Sequence, residues 1–280
     1  MNVLVTGVNG QLGYDVVKEL EKRGHQPIGV DREEMDLTYT EQIKECIENV
    51  NPEAIIHCAA YTAVDNAEDE EELCTRINAI ATKDIAECAK LLDIPMIYIS
   101  TDYVFDGTKD DEYTEEDTPN PINVYGKTKY EGEVYVQDIL EKYYIVRISW
   151  VFGENGNNFI NTMLRLAKER DSLNVINDQV GSPTYTKDLA RLLVDMIETD
   201  KYGIYHATNE GYCTWYEFAK EIFHVSDTNV EVNPILTLDY PTKAKRPMNS
   251  KMNKDKLNIN AFIKLRAWKD ALRDYIETIN

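Results

Sequence analysis

The sequence lacks several features that mark distinct classes of protein. No run approaches the ~20 consecutive apolar residues that a membrane-spanning helix needs, and the first residues show no basic region followed by a cleavage site. Cysteine is scarce: the five thiols never occur in a Cys-x-x-Cys spacing, and the four histidines show no ligand spacing. These absences argue against a membrane span, a secretory signal, a disulfide framework and a zinc site, and they favour a cytoplasmic protein.

Basic residues are scarce as well. The chain has 30 Lys and Arg residues against 50 Asp and Glu residues, which gives a formal net charge of −20. Nucleic-acid binding needs a basic face that contacts phosphates, so this balance argues against DNA or RNA as a partner. Residues 243–256 differ from the acidic remainder of the chain, with six basic residues and a single acid. This stretch is either a site for an anionic group or a solvated loop that balances the overall charge.

Short apolar runs alternate with helical patterns in the first 150 residues. Helical periodicity covers residues 12–23, 40–48, 70–92 and 121–142. Five runs rich in Val and Ile are predicted to be buried strands: Asn2–Thr6, Pro27–Asp31, Ala54–Cys58, Met96–Ser100 and Tyr144–Ile148. This alternation predicts an α/β fold with a Rossmann-type, doubly wound parallel sheet, whose ligands bind beyond the carboxyl ends of the strands.

The strand–helix rhythm loosens after Trp150. Helical patterns near residues 157–170, 186–198, 214–224 and 267–278 alternate with short strands and long polar connections. We therefore predict two units. Residues 1–150 form an NAD(P)-binding Rossmann domain, and residues 151–280 form a smaller α/β lobe that mainly binds substrate. The two are interleaved, because strands near residues 174–206 are expected to return to the sheet.

A glycine-rich loop follows the first predicted strand and opens the first helix. Gly7, Gly10 and Gly13 permit a tight turn, close approach of a pyrophosphate and close helix–strand packing. Gln11 and Leu12 lie at the start of the helix, whose free amides can bind phosphate oxygens. The loop therefore predicts a dinucleotide site.

The end of the second strand bears on which dinucleotide binds. Asp31 can accept hydrogen bonds from an adenosine ribose, whereas Arg32 beside it can hold a 2′-phosphate. Asp36 and Leu37 follow and could flank the adenine. Both recognition groups are present, so the sequence leaves NADH and NADPH as alternatives.

Tyr125 and Lys129 lie four residues apart in a predicted helix and therefore share one face. A nearby ammonium stabilises a phenolate, so we expect the pKa of the tyrosine to be lowered towards a value useful for proton transfer. The same spacing recurs at residues 14 and 18, on the phosphate-loop helix, and at residues 216 and 220, late in the chain. The pair at 125 and 129 is the one expected near the nicotinamide.

A hydroxyl at the end of the fourth strand completes a site that can reduce a carbonyl. Thr101 is expected to hydrogen-bond the carbonyl oxygen, with Ser100 as the weaker alternative. Tyr125 would donate the proton to the nascent alkoxide, and Lys129 would lower the phenol pKa and hold the nicotinamide ribose. Because the phenol supplies what a Lewis acid otherwise would, no metal is required.

Several longer strings give the chain a resemblance to a known family. It resembles the extended short-chain dehydrogenases/reductases, and among them the dTDP-4-dehydrorhamnose reductase family, essentially from end to end. The strings that carry the resemblance are Gly7–Gly13, residues 58–65 (CAAYTAVD), 100–107 (STDYVFDG), 124–129 (VYGKTK), 147–151 (RISWV), 178–184 (DQVGSPT) and Arg246-Pro247. The resemblance implies an NADH- or NADPH-dependent oxidoreductase. It would reduce the 4-keto group of dTDP-4-dehydro-β-L-rhamnose to dTDP-L-rhamnose, in the last step of dTDP-rhamnose biosynthesis.

The resemblance also assigns roles to individual residues. The catalytic positions are Thr101, Tyr125 and Lys129. The cofactor positions beyond the glycines are Gln11, Leu12, Asp36, Ala59, Ala60, Tyr61, Thr62 and Asn78. Asp102 and Trp150, with Thr101, fall near the sugar, where Trp150 offers a flat apolar face. Arg246 is a suitable clamp for the diphosphate, since a guanidinium can bind it bidentately.

Three alternatives remain open on the sequence alone. A sibling enzyme could reduce another nucleotide-linked 4-keto-6-deoxysugar with the same catalytic residues. A non-catalytic NADP-binding subunit that resembles the regulatory β subunit of methionine adenosyltransferase is the second. Loss of Thr101, Tyr125 and Lys129 would favour that role, and all three are present. An epimerase or dehydratase is the third, although a dehydratase would normally have an acidic pair after the strand-four hydroxyl.

The resemblance bears on assembly as well. Some members of the family form magnesium-bridged dimers through glutamates. Asp15 stands where one such acid is expected, and the others have no assigned counterpart, so we expect no metal-dependent dimer. The predicted partner is a dTDP-linked 4-keto-6-deoxyhexose, without nucleic acid or membrane, and the predicted assembly is a monomer or homodimer.

Overall fold

The computed structural model describes residues 1–279, in which strands and helices alternate. The strands are β1 (Asn2–Thr6), β2 (Gln26–Val30), β3 (Ala54–His57), β4 (Met96–Thr101), β5 (Tyr143–Ile148), β6 (Val151–Phe152), β7 (Ser172–Ile176), β8 (Val180–Gly181), β9 (Thr184–Tyr185), β10 (Gly203–His206), β11 (Cys213–Thr214) and β12 (Glu231–Ile235). The helices are α1 (Gln11–Lys22), α2 (Thr40–Val50), α3 (Val64–Ala67), α4 (Glu71–Thr75), α5 (Ala81–Leu92), α6 (Val124–Ile139), α7 (Phe159–Ala167), α8 (Thr186–Ile197), α9 (Trp215–Val225), α10 (Asp255–Ile259) and α11 (Trp268–Ile279). Within residues 1–279, no helix has the length and apolar character needed to cross a bilayer.

Six strands form a fully parallel central sheet in the order β2-β1-β3-β4-β5-β10. The predicted doubly wound α/β fold is thereby confirmed. The five strands predicted in the first half match β1 to β5 to within one residue at each end. Most of these runs are apolar because helices cover both faces of the sheet, and β3 and β4 are accordingly buried along their whole length.

Each face of the sheet is covered by an apolar cluster. On one face, Leu20 of α1 and Leu193 of α8 pack in the same cluster as the inward side chains of the strands. On the other face, Ile47 of α2, Ile85 of α5 and Val136 of α6 form a second cluster. All five side chains are fully buried, so the sheet is a rigid support for the loops at its carboxyl edge.

The chain changes direction around β1, which has β2 on one side and β3 on the other. Thr6, the last residue of β1, pairs with Val30 of β2 and His57 of β3, so the three strands end together. The Thr6 hydroxyl accepts a hydrogen bond from the Ala59 amide at 3.0 Å and ties the loop after β3 to the end of β1. In open α/β sheets, this switch point is where ligands bind.

The residues after 150 build a smaller lobe with its own core. Three two-stranded sheets pair β6 with β9, β7 with β12 and β8 with β11, around aromatic side chains such as Phe152, Phe218 and Trp268. β10 returns to the central sheet, and α8 covers one of its faces. β7, by contrast, exposes every second side chain and pairs with β12 outside the central sheet. The boundary at residue 150 stays a prediction.

The helix predicted over residues 70–92 contains a π-helical turn at Arg76–Ile80, between α4 and α5. The extra residue in such a turn changes which side chains face the sheet, and π turns are frequent at functional sites. Here the turn places Asn78, which is buried, beside the loop that follows β3.

Candidate active site

Two adjoining cavities lie at the carboxyl edge of the sheet. The larger, of about 750 Å³, runs from the loop after β1 to the second lobe, and the smaller, of about 280 Å³, lies beside the end of β2. The predicted site residues that line the larger cavity are Gly7, Gly10, Gln11, Leu12, Gly13, Asp31, Ala59, Ala60, Thr62, Thr101, Asp102, Tyr125, Lys129 and Trp150. Those that line the smaller one are Gly7, Asp31, Arg32, Asp36, Leu37, Ala59, Ala60 and Tyr61. Asn78 and Arg246 lie outside both linings.

The glycine loop is shaped by close contacts that no side chain would fit. Gly7 has a φ of +68°, and a Cβ there would lie 2.8 Å from the Ala59 Cα. A Cβ on Gly13 would overlap the Gly7 carbonyl, so α1 can approach β1 closely. Gly10 precedes α1 and no side chain caps the helix, which leaves its first amides on the cavity wall. This end of the cavity fits a pyrophosphate.

The end of β2 presents both recognition groups for the adenosine end of a dinucleotide. The Asp31 carboxylate accepts hydrogen bonds from the backbone amides of Asn9, at 3.0 Å, and Arg32, at 2.8 Å. The Arg32 side chain is 83% exposed, with its nearest carboxylate, that of Asp36, 3.5 Å away. Asp31 therefore organises the loop, and the Arg32 guanidinium is exposed beside the smaller cavity, where its partner is the Asp36 carboxylate.

The Asn78 side chain hydrogen-bonds the loop that follows β3. Its side-chain carbonyl accepts from the Tyr61 amide at 2.8 Å, and its Nδ2 donates to the Tyr61 carbonyl at 3.1 Å. The Tyr61 hydroxyl donates to Glu70 at 2.5 Å. Asn78 therefore holds the loop that contains Ala60 and Thr62, and its assignment to cofactor binding stays a prediction.

Two elements, β4 and α6, bring the three predicted catalytic side chains to the larger cavity. Thr101 ends β4, while Tyr125 and Lys129 lie in the first two turns of α6. Asn123 caps α6 by accepting from the Gly126 amide at 2.7 Å. A Cβ on Gly126 would overlap the Tyr103 carbonyl, so the absence of a side chain lets α6 pack directly on the turn after β4.

The pKa expected for Tyr125 is wrong in direction. Burial raises the pKa of Tyr125, the Asp102 carboxylate adds to the rise, and a hydrogen bond with Thr101 opposes it. Burial also lowers the pKa of Lys129 to about 7, against the influence of Glu133. Desolvation therefore dominates the pKa of both groups, and Lys129 is not among the groups that shift the pKa of Tyr125. Tyr125 stays protonated at neutral pH, as a proton donor requires.

A hydrogen-bonded chain links Thr101 to the second half of the molecule. The Thr101 hydroxyl donates to Asp102 at 2.9 Å, and the Ser250 hydroxyl donates to the other Asp102 oxygen at 2.5 Å. Burial raises the pKa of Asp102 to about 6 although both hydrogen bonds oppose the rise. Sequence reasoning missed Ser250; its place within the basic stretch 243–256 was the available signal.

A buried ion pair between Arg147 and Glu133 lies beside the end of β4. The Arg147 guanidinium donates to both carboxylate oxygens of Glu133, at 2.7 and 2.9 Å, and neither side chain is more than 2% exposed. Ser100 donates to the same carboxylate at 2.5 Å. The Ser100 hydroxyl is thus held by a buried ion pair and the Thr101 hydroxyl by Asp102, so the choice of Thr101 over Ser100 stays a prediction. Sequence reasoning missed this pair, whose members lie 14 residues apart on different elements.

Two stacked indoles form a flat apolar wall where the second lobe lines the larger cavity. Trp150 and Trp215 stack with ring centroids 3.6 Å apart and an interplanar angle of 14°. Trp150 has a φ of +49°, and a Cβ at Gly181 would lie 2.7 Å from its indole ring. Sequence reasoning found Trp150 and missed Trp215, which enters the cavity from the first residue of α9.

The Arg246 guanidinium is paired within the protein. It donates to both oxygens of Asp65, at 2.7 and 3.1 Å, and this contact lowers the pKa of that carboxyl. The Asn123 side chain donates to the Lys245 carbonyl at 2.7 Å, so this segment of the basic stretch lies against α6. The role of Arg246 as a diphosphate clamp stays a prediction, and it would require exchange of Asp65 for the phosphates.

Acidic side chains do not gather into a metal site. In the part of the chain that the structure describes, no three His, Cys, Asp or Glu side chains are grouped so that they could hold a metal ion. Asp15, the acid considered for a magnesium-bridged interface, is buried and accepts a hydrogen bond from Thr186 at 2.5 Å. Its carboxylate therefore joins α1 to α8.

The larger cavity lies at the edge of a parallel sheet and is lined by a glycine-rich loop after the first strand and by a helix with the Tyr-x-x-x-Lys spacing. Together these features define a class of protein. The class is that of the extended short-chain dehydrogenases/reductases, which use a nicotinamide dinucleotide.

Comparisons with known proteins narrow this class. The family model described as RmlD substrate binding domain matches residues 1–280. A dTDP-4-dehydrorhamnose reductase of Aggregatibacter actinomycetemcomitans is 42% identical over 285 residues, 97% of each chain. The spore coat polysaccharide biosynthesis protein SpsK of Bacillus subtilis (strain 168) is 36% identical over 275 residues, 98% of this chain and 96% of that one.

Solved structures agree with the sequence comparisons. The dTDP-4-dehydrorhamnose reductase of Bacillus anthracis str. Ames in complex with NADP has a TM-score of 0.96 and 42% identity, over 99% of both chains. The UDP-glucose 4-epimerase of Thermus thermophilus has a TM-score of 0.85 over 99% of this chain and 98% of that one, but 20% identity, and so shares the fold alone. The chain belongs to the RmlD family, that of the dTDP-4-dehydrorhamnose reductases.

Proposed function

We propose that the protein reduces the 4-keto group of dTDP-4-dehydro-β-L-rhamnose to give dTDP-L-rhamnose, with NADPH or NADH as the reductant. The observation that carries this proposal is the position of Thr101, Tyr125 and Lys129 on one cavity that begins at the glycine loop. Relatives that cover nearly the whole chain are named dTDP-4-dehydrorhamnose reductase, and one solved relative binds NADP. These similarities support the reaction and the cofactor class.

The residues on the cavity wall fit a nicotinamide dinucleotide. The uncapped amides at the start of α1 would hold the pyrophosphate, and Asp31 or Arg32 would meet the adenosine end. Lys129 would hold the ribose next to the nicotinamide. When bound, the reduced nicotinamide supplies a hydride to the carbonyl carbon.

The protein's own side chains handle the proton and the orientation of the sugar. Tyr125 donates its phenolic proton to the oxygen that gains negative charge as the carbonyl is reduced. Burial keeps the phenol protonated, and the substrate oxygen becomes basic enough to accept the proton only as the carbonyl is reduced, so proton transfer accompanies the reduction. Thr101 hydrogen-bonds the same oxygen once its hydroxyl turns away from Asp102, and so fixes the distance of that oxygen from Tyr125. The Lys129 ammonium stabilises the phenolate that remains until solvent restores the proton.

The second half of the cavity suits a deoxysugar. Trp150 and Trp215 present a stacked indole surface against which the apolar side of the pyranose, with its 6-methyl group, can pack. Arg246 would bind the diphosphate if that group displaces Asp65. A cytoplasmic location and a monomer or homodimer complete the proposal.

Turnover with matched substrates tests the proposal. The pure protein is incubated with NADPH or NADH and with enzymatically prepared dTDP-4-keto-6-deoxysugars, and both the loss of absorbance and the product are followed. We expect dTDP-L-rhamnose from the rhamnose precursor. Turnover of a different keto sugar alone would overturn the substrate assignment. Binding of NADPH without turnover of any keto sugar would favour the non-catalytic alternative.

A further inference from the structure

Tyr98 lies directly beneath the predicted catalytic lysine. It belongs to β4, is fully buried, and lies outside the linings of both cavities. The Lys129 ammonium sits over the face of its ring, with Nζ 4.1 Å from the ring centroid. An ammonium in this position is attracted by the negative face of the aromatic ring, and the attraction is strongest where water is excluded.

The Tyr98 hydroxyl contacts the backbone of two neighbouring elements, the π turn and α6. It lies 3.2 Å from the carbonyl oxygens of Asn78, in the π turn, and of Lys129 itself, and it can donate to either. A Cβ at residue 132 would overlap this hydroxyl, so Gly132 makes the space that it occupies. β4, the π turn and α6 therefore meet at the Tyr98 hydroxyl.

Apart from the Tyr98 ring, few groups near Lys129 stabilise its positive charge. Glu133 is the carboxylate that raises the lysine pKa, but Arg147 already binds both of its oxygens. Burial holds the other titratable groups near the lysine uncharged at neutral pH: His57, Cys58, Cys74, Tyr98 and Tyr125. His57 stacks with the Tyr98 ring, at 5.8 Å between centroids, and its pKa is lowered to about 3 by burial and by Lys129.

We propose that Tyr98 is a positioning residue for Lys129: its ring face stabilises the ammonium at the cavity wall, and its hydroxyl fixes the backbone that carries it. The proposal rests on the function proposed above, because Lys129 must act as a cation on the phenol and the ribose. Burial lowers the pKa of Lys129 to about 7, so loss of the ring face should matter within an accessible pH range.

The test is the pH dependence of kcat, at saturating NADPH and keto sugar, in variants of Tyr98. In Tyr98→Leu the ring face is lost, and we expect the pH above which kcat falls to decrease by roughly one unit. In Tyr98→Phe the ring face remains, so that pH should stay in place while the melting temperature drops by a few degrees. If Tyr98→Leu does not fold, Tyr98→Met, whose longer and more flexible side chain adapts to the space of the ring, makes the same comparison.

Tyr144→Leu is the matched control, since Tyr144 is equally buried on the neighbouring strand and contacts Tyr202 and Tyr205 instead. The Tyr144→Leu variant should be less stable than the wild type, and the pH profile of its kcat should be unshifted. An unshifted profile in Tyr98→Leu, or an equal shift in Tyr144→Leu, would overturn the inference. Lys129→Met separates the two proposals. Full turnover in Lys129→Met would refute the role of the lysine, whereas an inactive Lys129→Met with an unshifted Tyr98→Leu refutes the role of Tyr98 alone.

Discussion

Replacement of Asp102 by Asn should stabilise the protein, and the gain should depend on pH. Burial raises the pKa of Asp102 from 3.8 to about 6, so between these values the folded state binds more protons than the unfolded state. For a carboxyl with a raised pKa, stability is therefore lost as pH rises through this window and stays low above it. An Asn has the same shape and no charge to desolvate.

The size of the effect follows from the shift. A difference of roughly 2.2 pKa units corresponds to about 3 kcal/mol of destabilisation above pH 6. At pH 5 the penalty is about half as large, because the folded carboxyl is then largely protonated. We expect Asp102→Asn to raise the free energy of unfolding by up to this amount at pH 8. The figure is an upper limit, since the hydroxyls of Thr101 and Ser250 must re-orient around the new amide.

Urea unfolding at pH 5 and pH 8 measures the effect. Asp106→Asn is the control of opposite sign: its pKa is lowered to about 2, first by the Thr108 amide, so its loss should reduce stability at both pH values. Turnover of Asp102→Asn should fall although its stability rises, because the carboxylate lines the cavity and orients Thr101. A destabilised Asp102→Asn at pH 8, or a gain of equal size at both pH values, would refute the reasoning.

Three further substitutions test the site. Tyr125→Phe should lower kcat by 10²-fold or more while NADPH binding, followed by fluorescence titration, is unchanged; wild-type turnover would remove Tyr125 from the mechanism. Arg246→Ala should raise KM for the keto sugar with a small effect on kcat, and an unchanged KM would leave Arg246 with only its pairing to Asp65. Arg32→Ala should raise KM for NADPH and leave KM for NADH in place; equal effects on both would assign the 2′-phosphate to another group.

The first half of the fold could be predicted because its signals are local. β1, β3, β4 and β5 are mostly apolar runs, which is what burial on both faces of a parallel sheet requires, whereas β2 lies at the edge and is only partly buried. The glycine loop and the Tyr125–Lys129 spacing are local as well. In the second lobe, strands such as β8 and β9 are two residues long and carry no periodicity, so their pairing could not be read from the chain.

The parts of the site that escaped prediction depend on tertiary contacts. Trp215 lines the larger cavity, and Ser250 donates a hydrogen bond to Asp102. Both residues are distant in sequence from the rest of the site, so no spacing along the chain indicates that they belong to it. The raised pKa of Tyr125 is due mainly to burial, which spacing to Lys129 does not reveal. Arg246 was identified from its charge, whereas its pairing with Asp65 is visible only in the fold.

The central claim is that this cavity transfers a hydride to a sugar carbonyl and that Tyr125 completes the reduction. The most direct measurement uses NADPH that carries deuterium at both positions of nicotinamide C4, together with dTDP-4-dehydro-β-L-rhamnose. We predict one deuterium at C4 of the dTDP-L-rhamnose product, for each NADPH consumed, and almost no label incorporation with Tyr125→Phe. Unlabelled product, label at another carbon, or conversion without consumption of NADPH would contradict the account.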